Sequence, residues 1–441
     1  MSTTANIYLF DELNLDETVC DCDILSEQIA ERPHPTERPH PDTIGTSGPL
    51  HGIRVLDLGT VYAAPIAAMM LGDYGADVVK VEHPRGDPAR THGHNKDGYG
   101  LWWKVISRNK RTVTLNLGHP TGREVLERLV IGADVLIENF RPGVMEEWGL
   151  GPERLHEINP SLVMLRVTGF GQFGPYAKRR AFGTLAEAMS GFAHQTGQAD
   201  GPPTLPAFGL ADGVAGLAGA VAVLLALHHR ARNGGRGQVI DLSLLEPLMT
   251  ILGPGPSVYD QLGIVPGRHG NRSPNNAPRN TYRTRDGRWV AISASATPVA
   301  ERVMQLVGRP DIAEQPWFSS AGERVRHGDE LDSIVASWIG ARDFDEVMSA
   351  FERGKCAMAP VYDVEQLVND PQIQALDAIT TIEDEDLGPL RMQNVMFRLS
   401  ESPGSIRFAG RRLGQDNEQI YSKRLGLDED RIAQLREQGV I

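Results

Sequence analysis

The sequence predicts an α/β fold, an open parallel sheet with helices on both faces joined to a smaller α/β domain. Two observations carry this. From about residue 50, apolar runs of strand length alternate with helix-length segments, and the first strand, helix and strand fall within about thirty residues, the spacing of a βαβ unit. Beyond Gly267 the texture changes to polar loop followed by a hairpin signal. Repeated strand–helix alternation specifies parallel pairing with helices as crossovers.

Arg54 to Leu58 reads as a buried strand that stops at Gly59. Ala63 to Leu71 gives an Ala- and Met-rich helix, with Pro65 in its first turn, where a missing N–H costs nothing. Gly75-Ala76-Asp77 turns the chain into a second strand, Val78 to Glu82. Arg111 to Leu117 (strand), Gly122 to Ile131 (helix), Val135 to Glu138 (strand), Arg154 to Ile158 (helix) and Leu162 to Val167 (strand) continue the theme. Leu185 to Met189 is helical and precedes a Gly- and Pro-rich passage up to Asp212. The apolar run Val214 to Leu227 predicts a buried helix, closed by Gly234-Gly235-Arg236-Gly237. Asn271 to Asn280 is polar loop, and Thr281–Thr284 and Trp289–Ser293 flank the turn signal Asp286-Gly287. Helices over Val299–Leu306, Glu330–Gly340 and Phe344–Arg353 follow, and Tyr362 to Ile373 leads back towards the first domain.

These elements divide the chain into an N-terminal arm (1–47), a large domain (48–265, completed by about 375–441) and a small domain (266–374). The arm is acidic and repeats Glu-Arg-Pro-His-Pro at 31–35 and 37–41. Proline at that density blocks helices and sheet ladders, so a partly extended linker is predicted.

With 441 residues the chain has room for a large core, and its net charge of −13 argues against nucleic acid as the main partner. Three cysteines (Cys20, Cys22, Cys356) are too few for a disulfide framework and point to a reducing compartment. The acidic, polar N-terminus lacks the basic and apolar regions of a signal peptide, and the run Val214–Leu227 is too short for a bilayer span. A soluble, cytoplasmic chain with no membrane partner is the expectation. Cys20 and Cys22, with His34 and His40 downstream, fit no zinc spacing, so no metal is expected.

The Rossmann-like opening invites a dinucleotide reading, and Glu82 sits where a ribose-binding acid would. The turn Gly59-Thr60-Val61-Tyr62-Ala63-Ala64-Pro65, however, lacks the second and third glycines that let backbone approach a pyrophosphate. No Gly-x-Ser-x-Gly elbow and no Walker A motif occurs.

Five segments, in order, carry a resemblance. They are Gly52-Ile53-Arg54-Val55-Leu56-Asp57; L-G-D-Y-G-A-D-V-V-K-V-E from Leu71 to Glu82; Asn109 to Leu117; A-D-V-L-I-E-N-F-R-P-G from Ala133 to Gly143; and T-G-F-G-Q-F-G-P from Thr168 to Pro175. Together they resemble the class III CoA-transferases, the carnitine and bile-acid type also called the CaiB/BaiF family. The resemblance runs from about residue 50 to residue 295, with a weaker tail. It implies an enzyme that moves CoA from an acyl-CoA to a carboxylic acid, with these as its partners, CoA as substrate and no tightly bound cofactor. It also implies an interlocked homodimer.

By the same resemblance the catalytic nucleophile is Asp212, in Gly209-Leu210-Ala211-Asp212-Gly213, and Tyr62, Ala63, His83, Leu115, Asn139 and Phe140 surround CoA. Asp200, in a neighbouring Asp-Gly-Pro turn, competes for the role but reads as a turn residue. Oxalate-handling members carry glutamine at the Tyr62 position and a run of glycines where this chain has Asn271 to Pro278, which argues against oxalate or formate.

The chemistry suits these residue types. A carboxylate can attack a thioester to give a mixed anhydride and free thiolate, so the activation is retained and no histidine base is required. An ordinary aspartate is ionised at pH 7, and a helix N-terminus would favour the anion further. Gly169, Gly171 and Gly213 are candidate backbone donors to a tetrahedral oxyanion, and Lys80, Arg85, Arg90, Arg108, Lys110 and Arg111 are candidate cations for CoA phosphates. Two alternatives stand beside the transferase, a racemase and a non-catalytic subunit. A racemase needs a second acid/base group, and Phe182 and Ala296 occupy the positions where related racemases carry histidine and glutamate.

Overall fold

A computed structural model describes residues 48–441, so the N-terminal arm with Cys20, Cys22, His34 and His40 lies outside the described residues. The first half builds one sheet. Its strands and flanking helices are β1 (Arg54–Asp57), α1 (Ala63–Asp73), β2 (Asp77–Glu82), β3 (Lys110–Thr114), α2 (Pro120–Ile131), β4 (Val135–Glu138), β5 (Val163–Thr168), α3 (Gly183–Met189), α4 (Leu210–Arg232) and β6 (Val239–Ser243). The strand order is β3-β2-β1-β4-β5-β6 and every pairing is parallel. The order reverses between β1 and β4, which opens a crevice at the carboxyl ends of the strands, the usual ligand position in such sheets.

Alternate residues along each strand feed two cores, as the pleat requires. Val55, Val135, Ile137, Val163 and Leu165 pack with α1 and α4 on one face. Leu56, Val79, Val113, Leu136 and Met164 pack on the other with α2 and the C-terminal residues Ile420, Tyr421, Leu435 and Val440. A third core lies between residues 277 and 356. There β7 (Arg279–Arg283), β8 (Trp289–Ser293) and β9 (Met358–Pro360) form an antiparallel sheet, with Gly287 at φ +88° in the anticipated hairpin turn.

Four features differ from the sequence reading. Strand β6 was not anticipated, because Val239-Ile240-Asp241-Leu242-Ser243 mixes polar and apolar residues at a sheet edge. A second hairpin, β10 (Ile379–Asp384) with β11 (Gly388–Gln393), is likewise unforeseen. Helix α4 runs 23 residues, longer than its apolar run, since the Gly-rich Leu210–Gly213 forms its first turn. Nor is α4 wholly buried. It is long and apolar enough to match a bilayer span, less than half of its apolar stretch is buried, and Val221 and Leu225 are exposed.

Edge strand β3 is covered by the returning C-terminal segment, which uses side chains in place of a seventh strand. Asp416 Oδ2 accepts the Thr112 N–H at 2.8 Å, Asn417 Oδ1 accepts the Thr114 N–H at 2.8 Å, and the Tyr421 hydroxyl donates to the Thr114 carbonyl at 2.6 Å. This satisfies an edge that would otherwise expose unpaired backbone. Asn417→Ala strands the buried Thr114 N–H and hydroxyl, and is expected to lower unfolding free energy by about 1–3 kcal/mol in urea titrations.

Candidate active site

The turn after β1, the ends of β4 and β5, and the first turns of α3 and α4 converge on a cavity of about 460 Å³. Its wall includes Thr60, Val61, Tyr62, Ala63, His92, Asn139, Thr168, Gly169, Gly183 and Asp212.

Asp212 is the third residue of α4, so the helix start aims its carboxylate at the crevice. Two glycines make room for it. A Cβ at Gly183 would sit 1.9 Å from Asp212 Oδ2; one at Gly209 would sit 3.4 Å from that oxygen and 3.2 Å from the Tyr62 ring. Burial, then the charge of Glu187, push the Asp212 carboxyl up to about 6 against the Gly183 N–H that bonds it. The helix N-terminus therefore does not dominate, contrary to the sequence expectation, because desolvation outweighs it. The group nonetheless remains about nine-tenths ionised at pH 7.

Glu187 on α3 is almost fully buried, and its Oε1 accepts the Ala211 N–H at 3.1 Å. It ties down the first turn of α4 beside Asp212. The Tyr62 ring lies 4.5 Å from that of Trp102, tilted by 33°, and burial followed by the charge of Asp212 pushes its phenol up, so it remains a hydrogen-bond donor. Thr168 keeps a buried hydroxyl with no partner in the structure.

The turn that carries Tyr62 is held tightly. Asn139 accepts the Thr60 N–H at 2.7 Å and donates to the Thr60 carbonyl at 2.9 Å. Val61 adopts φ +63°, a left-handed conformation that costs a β-branched residue on the order of 1–3 kcal/mol.

Of the residues named from sequence, Tyr62, Ala63, Asn139 and Asp212 meet at the cavity. His83, Leu115 and Phe140 do not line it, although each lies at or just beyond the carboxyl end of a strand. His83 is exposed, its Nδ1 accepts the Arg85 N–H at 3.0 Å, and burial and then Arg85 lower its pKa. Leu115 is 1% exposed and its N–H donates to the Glu82 carbonyl, so its side chain packs the core. Phe140 packs edge-on against Trp148. Asp200 lies exposed in a turn away from the cavity.

Most of the candidate cations are committed elsewhere. Lys80 and Lys110 pair with buried Asp57 and Asp87, Arg90 with Glu82, Arg108 with Asp73, and Arg111 with Asp77. Glu82 is accordingly an arginine partner. Arg85 is exposed. Among the oxyanion candidates, Gly169 lines the cavity, Gly171 abuts Asp241, and the Gly213 N–H is bonded within α4 to the Gly209 carbonyl. Sequence reading did not single out Gly183, Gly209, Glu187, Thr168 or His92 as site residues; Thr168 and Gly209 open segments quoted above without a role of their own, and the other three belong to no motif.

Fold and site together define an α/β enzyme built around one half-buried carboxylate at the sheet's switch point. Residues 50–417 match the family model for CoA-transferase family III, and the chain belongs to that family. Among its relatives, a succinyl-CoA–D-citramalate CoA-transferase of Chloroflexus aurantiacus is 41% identical over 89% of this chain and 98% of the relative. The beta subunit of a succinyl-CoA–L-malate CoA-transferase from the same organism is 42% identical, covering 91% and 100%. The crystal structure of a CaiB/BaiF family protein from Brucella suis superposes with a TM-score of 0.76 at 30% identity, covering 86% of this chain and all of the other. The chain is thus an enzyme that transfers CoA between an acyl-CoA and an acid.

A carboxyl whose folded pKa is about 6, above the ordinary 3.8, holds its proton more tightly in the folded state. Its contribution to stability is fullest below pH 3.8 and declines as pH rises to about 6. Asp212→Asn is therefore expected to stabilise the fold at pH 7 by up to about 3 kcal/mol, less whatever solvent screens. Thermal unfolding should show that gain shrinking as pH falls through the window from 6 to 3.8.

Proposed function

We propose that the chain carries CoA from an acyl-CoA donor to a carboxylic acid through covalent intermediates on Asp212. The observation that carries this is a single, largely ionised carboxylate on the wall of a 460 Å³ cavity, with no histidine among the described residues ion-paired or hydrogen-bonded to it. A carboxylate held near 6 is more nucleophilic than one near 3.8, yet still charged at neutral pH.

Asp212 attacks the thioester carbonyl, and the tetrahedral adduct expels CoA thiolate to leave a mixed anhydride. The thiolate adds to the aspartyl carbonyl and releases the donor acid as its carboxylate, giving an aspartyl-CoA thioester. The acceptor carboxylate attacks that thioester, again expelling thiolate, and the thiolate then takes the acceptor acyl group and frees Asp212. Each step exchanges one carbonyl substituent for another, so no external proton or oxidant is consumed. Tyr62 O–H, Thr168 O–H and the Gly183 N–H are the nearby donors for the developing oxyanion. Val167 and Leu244 are buried apolar parts of the wall, whereas Phe182 and Phe208, also on it, are largely exposed and would have to fold over the anhydride or be covered to shield it. CoA extends along the carboxyl edge of the sheet past Asn139, Phe140, Leu115 and His83, with Arg85 available to a phosphate.

Succinyl-CoA as donor and a short dicarboxylic acid as acceptor are the substrates favoured by the relatives' names. The assembly we propose is an interlocked homodimer in the cytoplasm, with the segment 266–374 as its small domain. Large exposed apolar side chains support a covered surface, among them Val221, Leu225, Tyr259 and Leu262. The named alpha and beta subunits of the malate enzyme make a heteromer the second reading.

Incubation with a panel of acyl-CoAs and acids, followed by mass spectrometry, tests the proposal. Asp212→Ala is expected to lower exchange at least about 1,000-fold with CoA binding retained, whereas Asp200→Ala stays within about threefold. Near-normal turnover in the first variant would refute the assignment. In the parent enzyme kcat/KM should fall about tenfold per pH unit below about 6 and level off above it, as the nucleophile protonates.

A further inference from the structure

We infer that Asp87 is a positioning residue of the transfer reaction: with Lys80 it holds the Gly59–Tyr62 turn in a strained shape that presents Tyr62 to Asp212. The inference rests on the reading of Asp212 as the reacting group. Asp87 and Lys80 lie outside the cavity wall, so they act through the turn.

Val61 is β-branched and left-handed, a conformation the residue does not choose for itself. Its N–H donates to Asp87 Oδ1 at 3.2 Å, and the same oxygen accepts the Ala89 N–H at 2.8 Å. The other oxygen, Oδ2, lies 3.0 Å from Lys80 Nζ. Lys80 is 1% exposed and donates a second bond to the Gly59 carbonyl, so one ammonium joins the carboxylate to the start of the turn. Asp57 Oδ1 accepts the Gly59 N–H at 3.0 Å, while Asp57 Oδ2 is fixed by Lys110 at 2.8 Å. Lys110 also donates to the Pro65 carbonyl at 2.7 Å, beyond the turn. Backbone groups at the start of the turn, within it and after it thus end on one buried set of charges.

Buried ion pairs of this kind add little net stability over apolar packing, because desolvation offsets their attraction. Their use here is geometric. A relaxed Val61 would swing the following residue, and Tyr62 is the one whose ring lies against Trp102 and whose phenol senses the Asp212 charge.

A double-mutant cycle of Asp87→Asn and Val61→Gly tests this with two readouts. One is hydrogen exchange of the peptide containing residues 59–62 in the free protein, which needs no substrate. The other is exchange of carbon-13 succinate into succinyl-CoA. Asn at 87 must turn its NH2 towards either the Lys80 ammonium or the Val61 N–H, so one contact becomes repulsive. Asp87→Asn is expected to speed exchange of the turn amides about tenfold and to lower kcat about tenfold with KM for succinyl-CoA within about threefold. Adding Val61→Gly should restore at least half of both losses, since glycine accepts positive φ without steric cost. Lys80→Met is the second variant, with the same expected pattern, should Asp87→Asn not fold. Unchanged protection of the turn in Asp87→Asn, or effects of the two substitutions that simply multiply, would overturn the inference. Lack of succinate exchange in the parent would instead count against succinyl-CoA as donor, leaving the amide result decisive for Asp87.

Discussion

The site turns on a carboxylate kept charged where its surroundings favour the neutral form. Asp212 loses hydration at the cavity wall and faces the Glu187 carboxylate, and only backbone N–H groups, that of Gly183 and its own, pull the other way. Such a group is ionised but poorly solvated, the state that the proposed attack on a carbonyl carbon requires. The rest of the local structure follows from the need to hold it there. A Cβ at Gly183 would collide with the carboxylate, and one at Gly209 would press on the Tyr62 ring beside it. Glu187 both anchors the first turn of α4 and raises the cost of the charge, so one residue couples helix geometry to reactivity. The switch between β1 and β4 supplies the crevice into which that turn opens.

Charge distribution explains how an acidic protein manages buried cations. Lys80, Lys110, Arg90, Arg108 and Arg111, clustered in sequence around β2 and β3, are matched internally by Asp57, Asp87, Glu82, Asp73 and Asp77. They fasten the sheet, the Gly59–Tyr62 turn and the returning C-terminal segment to one another. Of the six cations named from sequence, only the exposed Arg85 stands outside these pairs.

Much of this was legible in the sequence. The five strands from β1 to β5 and helices α1 and α2 were visible because buried strands and crossover helices leave apolar runs of distinct length. Asp212, Tyr62, Ala63 and Asn139 were legible through motif resemblance, and all four reach the cavity. Strand β6 and the first turn of α4 were not, since an edge strand carries polar residues and Leu210–Gly213 resembles a loop until its N–H groups find Glu187 and Gly209. Ion pairing was equally hidden. Whether Lys80 faces solvent or Asp87 depends on sheet register, which residue spacing alone does not express. The direction of the Asp212 shift was missed for the same reason, because its burial at the cavity wall, and then the charge of Glu187, arise only in the fold.

The central claim is that Asp212 becomes acylated. Its most direct test is to mix the enzyme with acyl-CoA alone, quench with hydroxylamine and map the peptides by mass spectrometry. The account predicts a hydroxamate at Asp212 in the peptide from the start of α4, dependent on acyl-CoA and missing from Asp212→Asn. An unmodified Asp212, in an enzyme shown to be turning over under the same conditions, would contradict it.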